Sequence, residues 1–136
     1  MVWSCLVSIL PGMAQTEKLT DYVNPFVGTD GYGNVYPGAQ IPFGGIQISP
    51  DTDSRFYDAA SGYKYNHLTL MGFSLTHLSG TGIPDLGDFL FIPGTGEMKL
   101  EPGTHEDPDQ GYCSRYSHDK EWASPNYYAV ELADYG

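Results

Sequence analysis

No hydrophobic period persists for long in this chain. Phe43-Gly44-Gly45-Ile46-Gln47-Ile48-Ser49-Pro50 alternates apolar and polar side chains after its glycines, the period of a strand with one buried face. Leu68-Thr69-Leu70-Met71-Gly72-Phe73-Ser74 alternates again and runs into a glycine-rich stretch at 79–82. Phe89-Leu90-Phe91-Ile92-Pro93 is continuously apolar and fits a strand covered on both faces. Tyr22-Val23-Asn24-Pro25-Phe26-Val27 predicts an edge strand, because Pro25 has no N–H to give to a ladder. Residues 62–65, 112–120 and 127–132 predict further short extended pieces. Turn chemistry separates them at 28–34, 36–39, 51–60, 93–96 and 101–110. Residues 134–136 read as a hairpin turn followed by no partner strand, as in a fragment of a larger domain. The fold class predicted is mainly β: an antiparallel β-sandwich of short strands joined by long loops.

Composition supports that pattern. Seventeen glycines and ten prolines are scattered without a period, which excludes a collagen-like repeat and leaves no room for a long helix. Hydrophobic residues make up 40% of the 136 residues, enough apolar surface for a core. The formal net charge is −11, and the six Lys and Arg residues form no cluster. Nucleic acid and anionic membrane surfaces need a basic patch, so neither is a partner. Cys5 and Cys113 offer no metal-ligand spacing and no disulfide framework. Residues 1–14 read as an export signal: an apolar run from Val2 to Leu10, a break at Pro11-Gly12, and the small-residue pattern Gly12-Met13-Ala14. The usual basic residue near the start is missing. The run is too short to span a bilayer, and no other span is visible. The expected location is secreted, or the periplasm and cell envelope.

Several segments, in order, carry a family resemblance. They are Val23-Asn24-Pro25-Phe26-Val27-Gly28-Thr29, Tyr36-Pro37-Gly38-Ala39 with Ile41-Pro42-Phe43-Gly44, and Gln47-Ile48-Ser49-Pro50-Asp51-Thr52. Next come Ser61-Gly62-Tyr63 and the most specific, Gly72-Phe73-Ser74-Leu75-Thr76-His77-Leu78-Ser79-Gly80-Thr81-Gly82. Asp85-Leu86-Gly87-Asp88, Tyr116-Ser117-His118-Asp119-Lys120-Glu121 and Ala123-Ser124-Pro125-Asn126-Tyr127-Tyr128 complete the set. Residues 21–136 resemble the N-terminal domain of glycoside hydrolase family 92. Leu75 stands where a polar residue is usual, and Asn126 where glycine is usual. The resemblance implies a two-domain enzyme whose N-terminal β-sandwich packs on a C-terminal helical (α/α) barrel. It implies a calcium-dependent, inverting, exo-acting α-mannosidase that trims terminal mannose from glycans. The acid and base carboxylates of that family belong to the barrel, which this sequence lacks. No catalytic residue and no metal ligand is therefore assigned to this chain, which is expected to be inactive alone.

The binding candidates lie in two polar loops. His77, Ser79, Gly80, Thr81 and Gly82 could present a ring, hydroxyls and main-chain N–H groups to sugar oxygens; equally, His77 could bond within the fold while the glycines make a turn. Thr29 and Asp30 in the loop 28–34 carry the same two readings. Asp85 and Asp88 are a tempting carboxyl pair, but turns account for them more simply. His118, Asp119 and Glu121 resemble a metal cluster on paper; strand alternation would point the first two to opposite faces, at a surface or interface. Glycines 28, 31 and 33 lack the Lys and helix of a phosphate loop. Besides the enzyme reading, a glycan-binding sandwich without catalysis and a degenerate gene fragment remain open.

Overall fold

A computed structural model describes residues 17–53 and 57–135. The export-signal expectation for residues 1–14 lies outside the described residues. Those described contain seven strands: β1 (Ser49–Asp51), β2 (Thr69–Leu70), β3 (Gly72–Ser74), β4 (Leu90–Phe91), β5 (Ser114–Arg115), β6 (Glu121–Ser124) and β7 (Tyr127–Val130). The only helical pieces among them are 3-10 turns of three or four residues, at Leu19–Tyr22, Tyr57–Ala59, Pro108–Gln110 and His118–Lys120. All pairings between these strands are antiparallel: β1-β3-β4 form one sheet, β2-β5 a second and β6-β7 a hairpin. The mainly β, antiparallel class read from the sequence is what the chain adopts.

Local pattern and structure part company at several elements. Residues 22–27 form turns rather than an edge strand. The Asn24 side chain accepts the Phe26 amide at 3.0 Å, and the Asn24 carbonyl accepts that of Val27, so local acceptors replace a ladder. Of residues 43–50, only Ser49 and Pro50 enter a strand. Gly44 turns the preceding segment back, its amide on the Gln40 carbonyl at 2.7 Å. The run 68–74 is split, because β2 pairs with β5 whereas β3 pairs with β1 and β4. Serving two sheets buries both of its faces, so its side chains do not alternate between core and solvent. β4 is an edge strand, with Phe89 66% and Phe91 59% exposed; no second layer among the described residues covers it. Residues 118–120 are a 3-10 turn in which Ser117 Oγ accepts the Asp119 amide, so strand alternation does not govern His118 and Asp119.

The core is phenolic. Tyr36, Tyr63, Leu70 and Tyr116 form its buried cluster, with Phe26, Phe73, Ile92, Val130 and Leu132 packed against it. Buried hydroxyls need partners. Tyr63 Oη donates to Glu121 Oε1 at 2.9 Å, Tyr128 Oη donates to the same oxygen, and His118 Nδ1 lies 2.6 Å from Oε2. Tyr116 Oη donates to the His67 carbonyl at 2.9 Å. The Glu121 side chain is 1% exposed, so it belongs to the interior and not to a surface.

Burial pushes the Tyr63, Tyr116 and Tyr128 phenols well above their ordinary value of 10.0, and the nearby Glu121 charge adds to the effect. A pKa raised by folding means stability that is complete below the unfolded value and is lost as pH climbs beyond it. Above about pH 10 the folded protein should therefore weaken, with phenolate absorbance from these tyrosines appearing together with the loss of circular dichroism. Glu121→Ala should lower the denaturation midpoint, at about 1–3 kcal/mol for each group left without its acceptor. The exposed apolar side chains, among them Phe43 at 94% and Met98 at 83%, predict that the isolated chain binds hydrophobic dyes and self-associates in light scattering.

Candidate functional site

His77 follows β3 and forms an isolated antiparallel bridge with Leu86. Its residue is 5% exposed. Nδ1 donates to the Gln47 carbonyl at 2.8 Å, since a carbonyl can only accept. Nε2 lies 2.9 Å from Ser74 Oγ and 3.0 Å from Asp51 Oδ1. The His77 amide donates to Gln47 Oε1 at 3.1 Å, and the Tyr36 ring lies 4.9 Å away, centre to centre. Both ring nitrogens are thus engaged by protein. Ser74 and Asp51 meet the same nitrogen, whereas a nucleophilic relay needs them on opposite ones. The cluster ties β1, β3 and the segment before β1 together; it does not activate a serine.

Gly62 makes room for this pair. A Cβ there would come within 2.1 Å of Asp51 Oδ1 and 3.1 Å of His77 Cδ2, and its φ of +90° disfavours any side chain. Asp51 Oδ2 is buried with no hydrogen-bond partner among the described residues. A cavity of about 230 Å³ lies against Asp51, Ser61, Gly62, His77 and Asp85.

The two predicted loops lie side by side: the Gly80 amide donates to the Asn34 carbonyl at 2.7 Å. Ser79, Gly80 and Gly82 are exposed and Thr81 is half-buried, its Oγ1 donating to the Ile83 carbonyl at 3.2 Å. Thr29 is buried, with Oγ1 donating inward to the Phe26 carbonyl at 2.9 Å, while Asp30 is exposed. The 28–34 loop is fastened by the Tyr65 amide on the Thr29 carbonyl at 2.9 Å and by Lys64 Nζ on the Gly31 carbonyl at 2.7 Å. The arrangement exposes Asp30 and Ser79 to solvent on adjoining loops and keeps His77 and Thr29 behind them.

The other candidates have local partners. Asp85 Oδ1 accepts its neighbour's amide, from Leu86, at 2.8 Å, and Asp88 Oδ2 accepts Thr76 Oγ1 at 2.9 Å. Among the described residues, no three His, Cys, Asp or Glu side chains are placed to hold a metal ion.

Residues 22–136 match the model of the glycosyl hydrolase family 92 N-terminal domain. The chain belongs to glycoside hydrolase family 92. It is 99% identical to a family GH92 α-mannosidase, BT3965 from Bacteroides thetaiotaomicron, over 88% of this chain and 16% of that one, with a TM-score of 0.85. A structure of that enzyme in complex with mannoimidazole superposes equally well. The family GH92 inverting mannosidase BT2199 from the same species is 26% identical, at a TM-score of 0.55 over 87% of this chain and 16% of its own. An uncharacterized secreted glycosidase of Arthroderma benhamiae is 30% identical across 82% of this chain and 14% of its own length. The family 92 chain thus spans about one sixth of these relatives.

Sequence reasoning passed over Asp51, Gly62, Gln47 and Lys64, which build the setting of the loops. Asp51 and Gly62 were within reach, since both sit in segments that carry the resemblance. Gln47 opens one of those segments too, whereas Lys64, next to Tyr63, lies just outside them. Because buried Asp51 and Ser74 would lose their hydrogen-bond partner, His77→Ala should cost about 1–3 kcal/mol for each group left unpaired, read as a lower denaturation midpoint. Gly62→Ala should destabilise the same cluster from the backbone side.

Proposed function

We propose that this chain is the N-terminal part of an exo-acting α-mannosidase that removes terminal mannose from glycans with inversion. The observation that carries this reading is its 99% identity to an enzyme named an α-mannosidase. The name of the relative BT2199 supports inversion, and the mannoimidazole complex of BT3965 supports a mannose-shaped ligand. An inverting glycosidase needs two carboxyl groups that admit a water between them. In this proposal both come from a helical (α/α) barrel encoded beyond these residues, and so do the ligands of any calcium the enzyme requires. The fungal relative's name, a secreted glycosidase, together with the export-signal pattern at 1–14, supports a location outside the cytoplasm. No described helix is long and apolar enough to cross a membrane.

Within the proposal the adjoining loops line the sugar pocket. Asp30, Ser79, Gly80, Thr81 and Gly82 offer polar atoms and close backbone approach. His77 and Thr29, whose polar side-chain atoms are bonded inward, hold those loops in place from behind.

The test uses the whole protein that carries this segment. It should hydrolyse an aryl α-mannoside, with β-mannose as the first product in NMR, and lose activity to a chelator until calcium is returned. The 136-residue chain alone should be inactive; turnover by the pure chain would overturn the reading. In the whole enzyme, Ser79→Ala should raise KM about 3- to 10-fold and Asp30→Ala about 10- to 100-fold, the range for losing a neutral or a charged hydrogen bond.

A further inference from the structure

We propose that Lys64 is a positioning residue that holds the 28–34 loop in its sugar-binding conformation. This rests on the preceding reading that the loop contacts sugar.

Lys64 is an unusual lysine. It is 8% exposed, although lysines are almost never buried without a partner. It follows Tyr63 of the core cluster, and its own amide is held by Thr52 Oγ1 at 2.9 Å. From that fixed base the side chain reaches across to donate to two main-chain carbonyls, Gly31 at 2.7 Å and Asp58 at 2.9 Å. The Asp58 carboxyl adds a longer contact at 3.8 Å. These bonds go to two loops that no ladder secures.

The loop needs such an anchor. Gly28, Gly31 and Gly33 make it flexible, and Gly28, Gly31 and Asn34 take positive φ. Two bonds from adjacent residues bracket Asp30: the Tyr65 amide on the Thr29 carbonyl before it, and Lys64 Nζ on the Gly31 carbonyl after it. Removing the second leaves the turn at Asp30 and Gly31 tied to the body only through its two ends, by the Tyr65 amide on the Thr29 carbonyl and the Gly80 amide on the Asn34 carbonyl, with the longer bonds from Gly33 to Asp30 and from Val35 to Gly28, at 3.2 and 3.3 Å, inside the loop. When only a fraction of molecules hold the competent loop, apparent affinity falls by that fraction, whereas saturating sugar recaptures the loop. A KM effect with kcat retained is the signature. A lysine that served folding alone would lower the amount of active enzyme, and so kcat, with KM unchanged.

The experiment uses the whole enzyme and an aryl α-mannoside. Lys64→Met should raise KM about 10-fold, for a competent fraction near one tenth, with kcat within about twofold. Hydrogen exchange should quicken in residues 28–34 and stay unchanged in the β6–β7 hairpin. Lys64→Arg should recover part of the KM, because a guanidinium also donates to carbonyls. Should Lys64→Met fail to fold, Lys64→Leu, which also lacks a donor, takes its place with the same readouts, and should that fail too, hydrogen exchange in residues 28–34 of Lys64→Arg decides: exchange as in the unaltered enzyme together with a raised KM overturns the proposal. An unchanged KM, or unchanged exchange in the loop, overturns the proposal. If Asp30→Ala raises KM and Lys64→Met does not, positioning alone falls. If neither moves KM, the loop does not touch sugar and both readings fall.

Discussion

The Glu121 carboxylate receives the Tyr63 and Tyr128 hydroxyls and faces His118 Nδ1, in a site where its side chain is 1% exposed. Tyr63 and Glu121 are 58 residues apart, so this one acceptor joins the middle of the chain to the β6–β7 hairpin. Strands of two to four residues cannot supply that cohesion from their ladders. The core is built from tyrosines, whose rings supply apolar area but whose hydroxyls must be satisfied. Glu121 lets a phenolic core close, and the other contacts follow. Tyr65 stacks on the His118 ring at 3.9 Å, and Phe73 meets Tyr128 edge to face at 6.0 Å, bringing the β1-β3-β4 sheet onto the hairpin.

The same logic is repeated around His77. A buried imidazole and the Asp51 carboxyl bind β1 to the segment leaving β3, and Gly62 admits them. What this cluster delivers to the surface is a pair of glycine-rich loops, joined by the Gly80 to Asn34 bond. Rigid polar groups inside and adaptable ones outside is the division that the proposed sugar site would need. A ligand-facing loop gains from having its entropy removed before binding. Lys64 belongs to the interior side of that division, although its target is a loop.

The hydrophobic pattern located strand regions better than it located strands. Residues 127–132 were legible because the β7 pairing with β6 is local, across a two-residue turn. Residues 68–74 were legible as extended but not as a junction between two sheets, since partners at Arg115, Ser114, Ser49 and Leu90 lie far along the chain. The 89–93 run read as doubly covered, and it lies on an edge because burial belongs to the neighbours of a strand rather than to its own side chains. The paper cluster of His118, Asp119 and Glu121 resolved into a half-buried His118 bonded to a buried Glu121 and an Asp119 whose amide is capped by Ser117, a difference set by the 3-10 turn at 118–120.

By itself the sequence determined the mainly β class, the absence of long helices among the described residues, the places of the two polar loops and the family. Those properties rest on local steric preference, on the spacing of glycine and proline, and on ordered motifs that need no knowledge of contacts. Tertiary structure alone decided that His77 turns inward to Asp51, that Glu121 collects the tyrosines, and that Lys64 reaches the Gly31 carbonyl. It also decided that loops 45 or more residues apart meet at Gly80 and Asn34. Each of these is a polar group finding a partner remote in sequence. The force behind them is the cost of burying a donor or an acceptor unpaired, which a chain reveals only when it folds.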